Sequence, residues 1–133
     1  MPKLSLPGVL AATVVFWLIG VVWFGVLFAT ASMAAEGVDP AAAQSQSPLW
    51  MAGGVLITLA QVLGLALVIR WKGDYSAVEA AKTALLLWAL FALPFTLYAF
   101  FYNPAHDLAL LAIDSGHLLA AWTAAGAVLG AFK

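Results

Sequence analysis

Residues 50–69 read WMAGGVLITLAQVLGLALVI, twenty positions without a charged side chain. A helix needs about 20 mostly apolar residues to cross a hydrocarbon core about 30 Å thick. The stretch meets that requirement, and Gln61 is its only strongly polar residue. Its apolar runs, Val55 to Ile57 and Leu63 to Ile69, do not alternate as a membrane β-strand of about 10 residues must. Working outward, three further stretches have the same character, which places spans at about 7–33, 50–69, 82–102 and 108–132. The predicted fold class is an all-α membrane protein, four transmembrane helices in one bundle. Residues 1–133 are expected to form a single domain, because four spans leave no room for a soluble one.

Composition agrees. The 133 residues are 65% hydrophobic and 8% charged, against about 45–50% and 25% in soluble domains. A net charge of −1 and a pI near 6.0 leave no basic face, so no nucleic-acid partner is expected. The absence of Cys excludes a disulfide scaffold, a thiolate zinc site, an iron–sulfur cluster and a Cys nucleophile. The chain is also too apolar for intrinsic disorder.

The charges give an orientation. Lys3, Arg70, Lys72, Lys82 and Lys133 fall on one side of the four spans, whereas Glu36, Asp39 and Asp107 fall on the other. The positive-inside rule then predicts that the N-terminus and C-terminus are both cytoplasmic. Trp50 and Tyr102 are expected at the outer interface and Trp71 and Tyr75 at the inner one, with Lys82 snorkelling. The basic residues read as topology anchors. Polar joints supply the loops: Glu36, Gly37, Asp39 and Pro40 with Gln44, Ser45, Gln46, Ser47 and Pro48, then Arg70 to Asp74, then Asn103 and Pro104, with Pro104 suited to open span four. Span one carries Lys3 and a run of small residues, as a signal peptide does. Its apolar run exceeds the usual 7–15 residues, so an uncleaved anchor is expected.

Ionisable groups at the bilayer centre cost about 2.5–3.5 kcal/mol on insertion scales, which makes Asp114 and His117 the informative pair. At 1.5 Å per residue they lie about 9 and 13 Å from the outer end of span four. A spacing of three puts them on one helix face, with His106 and Asp107 on the same arc at the outer mouth. Two readings fit this stripe. The pair forms a proton or cation relay with Gln61, Thr96 and Tyr98 lining the path, or it locks the bundle, Asp114 accepting from His117, a hydroxyl or an indole. Gln61 lies about 16 Å into span two, and a hydrogen bond to span four is expected.

The remaining markers concern packing. Gly126 and Gly130 form a Gly-x-x-x-Gly pair suited to close helix approach, within the bundle or between copies, and Gly116 lies near that face. Gly20 sits between Trp17 and Trp23, Pro94 predicts a kink in span three, and Glu79 and Lys82 form an i, i+3 pair. Spans one and three share a loose echo, residues 16–20 against 87–91, that would align Trp17 with Trp88. No catalytic constellation, phosphate loop or metal cluster is legible, and His106 and His117, about 16 Å apart along one helix, cannot clamp one haem from both sides, although a homodimer could pair His117 with its copy. No catalytic residue, cofactor or metal site is therefore expected.

Near its full length the chain resembles the bacterial inner-membrane family called domain of unknown function 1761. The resemblance rests on Ile19-Gly20-Val21-Val22-Trp23-Phe24 leading to Leu27-Phe28, and on Leu111 through Leu119 followed by Gly126-Ala127-Val128-Leu129-Gly130. Members typically read Gly-x-x-Trp-Tyr-Ser-Pro near the first motif. Here Phe24, Gly25 and Val26 replace Tyr-Ser-Pro, removing the proline that would kink span one. The resemblance implies a multi-pass protein of the bacterial inner (plasma) membrane, adds weight to Asp114 and His117, and names no activity. Small multidrug-resistance transporters share the length and span count but depend on a membrane Glu in the first helix, and span one has no acidic residue. The expected role is that of a non-enzymatic integral membrane protein. Its partners would be the lipid bilayer and a second copy of itself or another membrane protein. The alternative is a small proton- or cation-coupled transporter or channel using Asp114 and His117.

Overall fold

A computed structural model of the protein describes residues 3–39, 41, 47–74 and 76–132, and no strand occurs among them. Pro40, Gln44, Ser45 and Gln46 of the first loop, the inner-belt Tyr75 and the terminal Lys133 lie outside the described residues. Among the described residues, four helices are long and apolar enough to cross a membrane: Leu6–Leu27, Leu49–Lys72, Ala77–Tyr102 and Leu108–Ala131. They are spans one to four below.

Two boundaries differ from expectation by five residues or more. Span one stops at Leu27 rather than near residue 33, because Phe28 leaves helical geometry (φ −124°, ψ 20°); a separate helix, Ala29–Glu36, follows. Span three starts at Ala77, five residues earlier than expected. The cause is Ser76, whose Oγ accepts from the Glu79 N–H at 3.2 Å, and Ser-x-x-Glu is the capping-box spacing. Glu79 and Lys82 accordingly sit in the first turns, and their expected pairing is present at 3.2 Å. Pro104 does not open span four. It lies inside a turn closed by His106 N–H to Asn103 O at 3.0 Å, and Asp107 caps the helix instead, its Oδ1 accepting from Leu110 N–H at 3.1 Å.

The joint between spans two and three is built by Gly73, whose φ of +83° is adopted without strain by a residue lacking Cβ. Gly73 N–H reaches Arg70 O at 3.1 Å and Asp74 N–H reaches Ile69 O at 3.0 Å, closing the helix end as a Schellman motif does.

Spans one and three are each interrupted by one wide π turn, Trp23–Leu27 and Trp88–Ala92. In span three the cause is Pro94, which lacks an N–H and whose ring clashes with the carbonyl four residues back. The expected kink is thus taken up as a π turn just before the proline. Span one makes the same turn without any proline, through Phe24, Gly25 and Val26. Trp23 and Trp88 thus each open a π turn, a likeness that the short echo of residues 16–20 against 87–91 does not include.

Span four is the hub, packing against all three others and most extensively against spans three and one. Lipid tails are as apolar as leucine, so helices associate here through close packing and hydrogen bonds rather than through hydrophobic burial. Small residues supply the approach. A Cβ on Gly126 would lie 2.6 Å from Ala84 Cβ, and one on Gly130 would lie 2.5 Å from Ala80 Cβ. The Gly-x-x-x-Gly pair is thus used inside the bundle, against span three, rather than between copies. Gly116 does not share that face; it packs against Trp23 of span one, where a Cβ would meet Cζ2 at 3.1 Å.

Candidate functional site

The polar groups of span four are divided among its neighbours. Trp23 Nε1 donates to Ile113 O at 2.9 Å, and Trp88 Nε1 donates to Ser115 O at 3.0 Å. Two indoles from two spans thus grip the backbone immediately before and after Asp114. A third indole, Trp122 Nε1, donates to Gln61 Oε1 at 2.9 Å. The expected bond from Gln61 to span four is therefore present, with a Trp as its donor. All three indoles find acceptors, as buried Trp side chains usually do.

Asp114 and His117 do not pair. Among the described residues no hydrogen bond or ion pair joins them, and they line different recesses. The indoles go to carbonyls, so the expected lock through Asp114 is also absent. In a helix of 3.6 residues per turn, positions three apart diverge by about 60°. On a helix packed by three neighbours, that divergence separates them.

Asp114 is half-buried between two recesses at the acidic end of the bundle. One, of about 40 Å³, is lined by Thr96, Ala99, Phe100, Asn103 and Asp107, large enough for a water molecule. The other, of about 460 Å³, is lined by Phe24, Ser32, Met33 and Glu36. Thr96 thus joins Asp114 as expected, although its hydroxyl donates to Leu93 O at 2.8 Å. Asp107 joins it too. Tyr98 does not: it is 60% exposed on the outer face of span three, its ring stacked on Tyr102 at 5.9 Å. Depth along the span predicted Tyr98; azimuth excludes it. His106 lies off the helix at φ +45°, with Nδ1 2.9 Å from Phe100 O.

His117 occupies an aromatic cage. Phe24 lies 4.8 Å and Phe16 5.9 Å away, both edge to face, with Trp23 at 6.5 Å. Gly20 makes room for it: a Cβ there would meet His117 Nε2 at 3.2 Å. Nε2 is buried and has no hydrogen-bond partner among the described residues. The imidazole also lines a cleft of about 630 Å³ between spans one and two, with Phe16, Trp17, Gly20, Phe24 and Gly54.

At the opposite end Arg70 and Lys72, expected as topology anchors, belong to a hydrogen-bonded cluster with Asp74 and Thr83. Arg70 donates to the carbonyl oxygens of Leu129, at 3.0 Å, and of Phe132, fastening the end of span four. Such placement of a cation satisfies terminal carbonyls and the helix dipole together. Asp74 is buried, accepts from Thr83 Oγ1 at 2.6 Å and pairs with Lys72 at 3.0 Å. Burial pushes its carboxyl up, but the bonds from Thr83 and Lys72 and the lysine charge outweigh this and hold it below its ordinary value. Basic residues beside Gly73 signal a helix end; Thr83, nine positions after Asp74, carries no such signal.

Among the described residues, no group of three or more His, Asp or Glu side chains could hold a metal ion. Fold and site together define a four-span helical membrane protein with divided polar groups. Residues 7–130 match the family described as protein of unknown function (DUF1761), and the chain belongs to that family. No curated protein and no solved structure matches it.

Proposed function

We propose that the protein is a non-enzymatic, multi-pass subunit of the bacterial inner membrane, with both termini cytoplasmic, that works as a homo-oligomer or beside another membrane protein. The observation that carries this reading is the outer face of span three. Phe95, Tyr98 and Tyr102, spaced i, i+3 and i+7, are 60–80% exposed and stand in file, with centroids 6.3 and 5.9 Å apart. That face lies away from span four and fits a second helix surface, since side chains at this spacing share one stripe. The polar groups of the interior support the same reading, because the three indoles and Gln61 tie helices together. The chain has no Cys, so single-cysteine variants report cleanly. Oxidation of Tyr98→Cys in native membranes is expected to give a dimer, and Val14→Cys on the exposed side of span one is not. Equal cross-linking at both positions, or none at Phe95→Cys, Tyr98→Cys and Tyr102→Cys, would oppose a span-three contact between copies.

A second reading, proton or cation coupling, draws on one observation: Asp114 and Glu36 line the same recess, with Asp107 on the other side of Asp114. His117 takes no part in that arrangement. Flux into proteoliposomes that disappears in Asp114→Asn and persists in His117→Ala would favour it. Unchanged flux, with only a lower melting temperature, would leave Asp114 a structural residue.

A further inference from the structure

The cleft between spans one and two has the properties of a binding site and no assigned occupant. Its volume of about 630 Å³ falls in the range of about 300–1,000 Å³ typical of small-molecule sites. Phe16, Trp17 and Phe24 wall it, Gly20 and Gly54 keep it open, and His117 forms the back. Among the described residues no Asp, Glu, Lys or Arg lines it, which disfavours an ionic ligand, because a charge placed there would lose its hydration without a counter-charge.

The imidazole supplies the polar contact. Nε2 lies beneath Gly20 with no partner among the described residues, and a buried polar group left unpaired is unfavourable. The second side-chain torsion of His is broad, and contact with a ligand requires the ring to turn so that Nε2 leaves Gly20 for the cleft. A ligand oxygen there would satisfy it. A neutral imidazole nitrogen either donates or accepts according to tautomer, so the same atom suits a carbonyl or a hydroxyl. Aromatic walls favour a planar ring beside that oxygen.

We propose that this cleft binds a neutral, membrane-dissolved molecule whose planar ring carries a carbonyl or hydroxyl oxygen, the chemistry of a quinone or quinol, with His117 as its hydrogen-bonding partner. The site draws on spans one and two and on His117 of span four, and does not depend on the span-three contact between copies.

The test is quenching of tryptophan fluorescence by decylubiquinone, titrated into the full-length protein in lipid nanodiscs. Saturable quenching is expected for the native sequence. Gly54→Leu fills the cleft from a position where an added Cβ meets nothing within 4 Å, and is expected to weaken binding by about tenfold or more, a factor of ten being about 1.4 kcal/mol. His117→Phe should weaken it similarly. Decylbenzene, which has the ring and chain without oxygen, should not displace the quinone. Non-saturable quenching identical in all three proteins would overturn the proposal. So would displacement by decylbenzene at equal concentration from the native protein, which would make the cleft an apolar slot for acyl chains.

Discussion

Trp23 and Trp88 hold span four from two neighbouring helices, donating to carbonyls only two residues apart, Ile113 at 2.9 Å and Ser115 at 3.0 Å. Each indole opens a π turn in its own span, and that local widening accompanies its reach toward the hub. As helical carbonyls the acceptors keep their own backbone donors, so losing an indole removes a bond without orphaning a group. Trp23→Phe and Trp88→Phe are each expected to lower unfolding free energy in mixed micelles by about 0.6–1.7 kcal/mol. The two losses should sum in the double variant to within about 0.5 kcal/mol if the ties act independently.

The contact between spans three and four leaves no room for added atoms. Gly126→Ala and Gly130→Ala would press a methyl against Ala84 or Ala80 at 2.5–2.6 Å, and overpacking of this kind costs about 1–3 kcal/mol. Gly64 faces open space, so Gly64→Ala should be neutral or stabilising by up to about 1 kcal/mol through helix propensity. Thermal melting of the three variants side by side checks the contrast. Equal melting temperatures would contradict the packing described.

The Asp74 cluster predicts an acid-dependent loss. Its carboxyl titrates below its ordinary value when folded. Its contribution is therefore whole above about pH 3.9, the unfolded value, and disappears as pH falls through the folded value. Asp74→Asn should be less stable than the native protein at pH 7 by about 1 kcal/mol, with the gap closing below about pH 4. A gap independent of pH between 7 and 3 would show that the carboxylate charge does not matter.

Most of the fold was legible because four uncharged stretches of the right length leave a chain few alternatives. Position around each helix was not legible. In a soluble helix the polar side marks solvent, but here apolar residues cover every side, so Tyr98 and Thr96 looked alike by depth and face opposite ways. The Asp114–His117 pairing failed on the same ground, since about 60° of divergence points them at different neighbours. Gln61 was readable because a lone amide in an apolar span needs a partner, whereas Trp122 as that partner was not. The two π turns have no residue code beyond Pro94, and each shifts the register that follows it.

Orientation rests on the basic residues, and labelling can test it. Lys3→Cys and Asp39→Cys place one thiol at each end of the bundle in a chain without native cysteine. A membrane-impermeant maleimide added to intact cells with a permeable outer membrane should label Asp39→Cys and leave Lys3→Cys untouched until the inner membrane is opened. The reverse pattern would invert the topology.

The proposed role as an assembling subunit is tested most directly by native mass spectrometry of the full-length protein released from lipid nanodiscs. The expected result is one discrete assembly, a defined multiple of 13.9 kDa or that chain with one other membrane protein, which Tyr98→Arg dissociates. A bare monomer in the native sequence, unchanged by Tyr98→Arg, would contradict it.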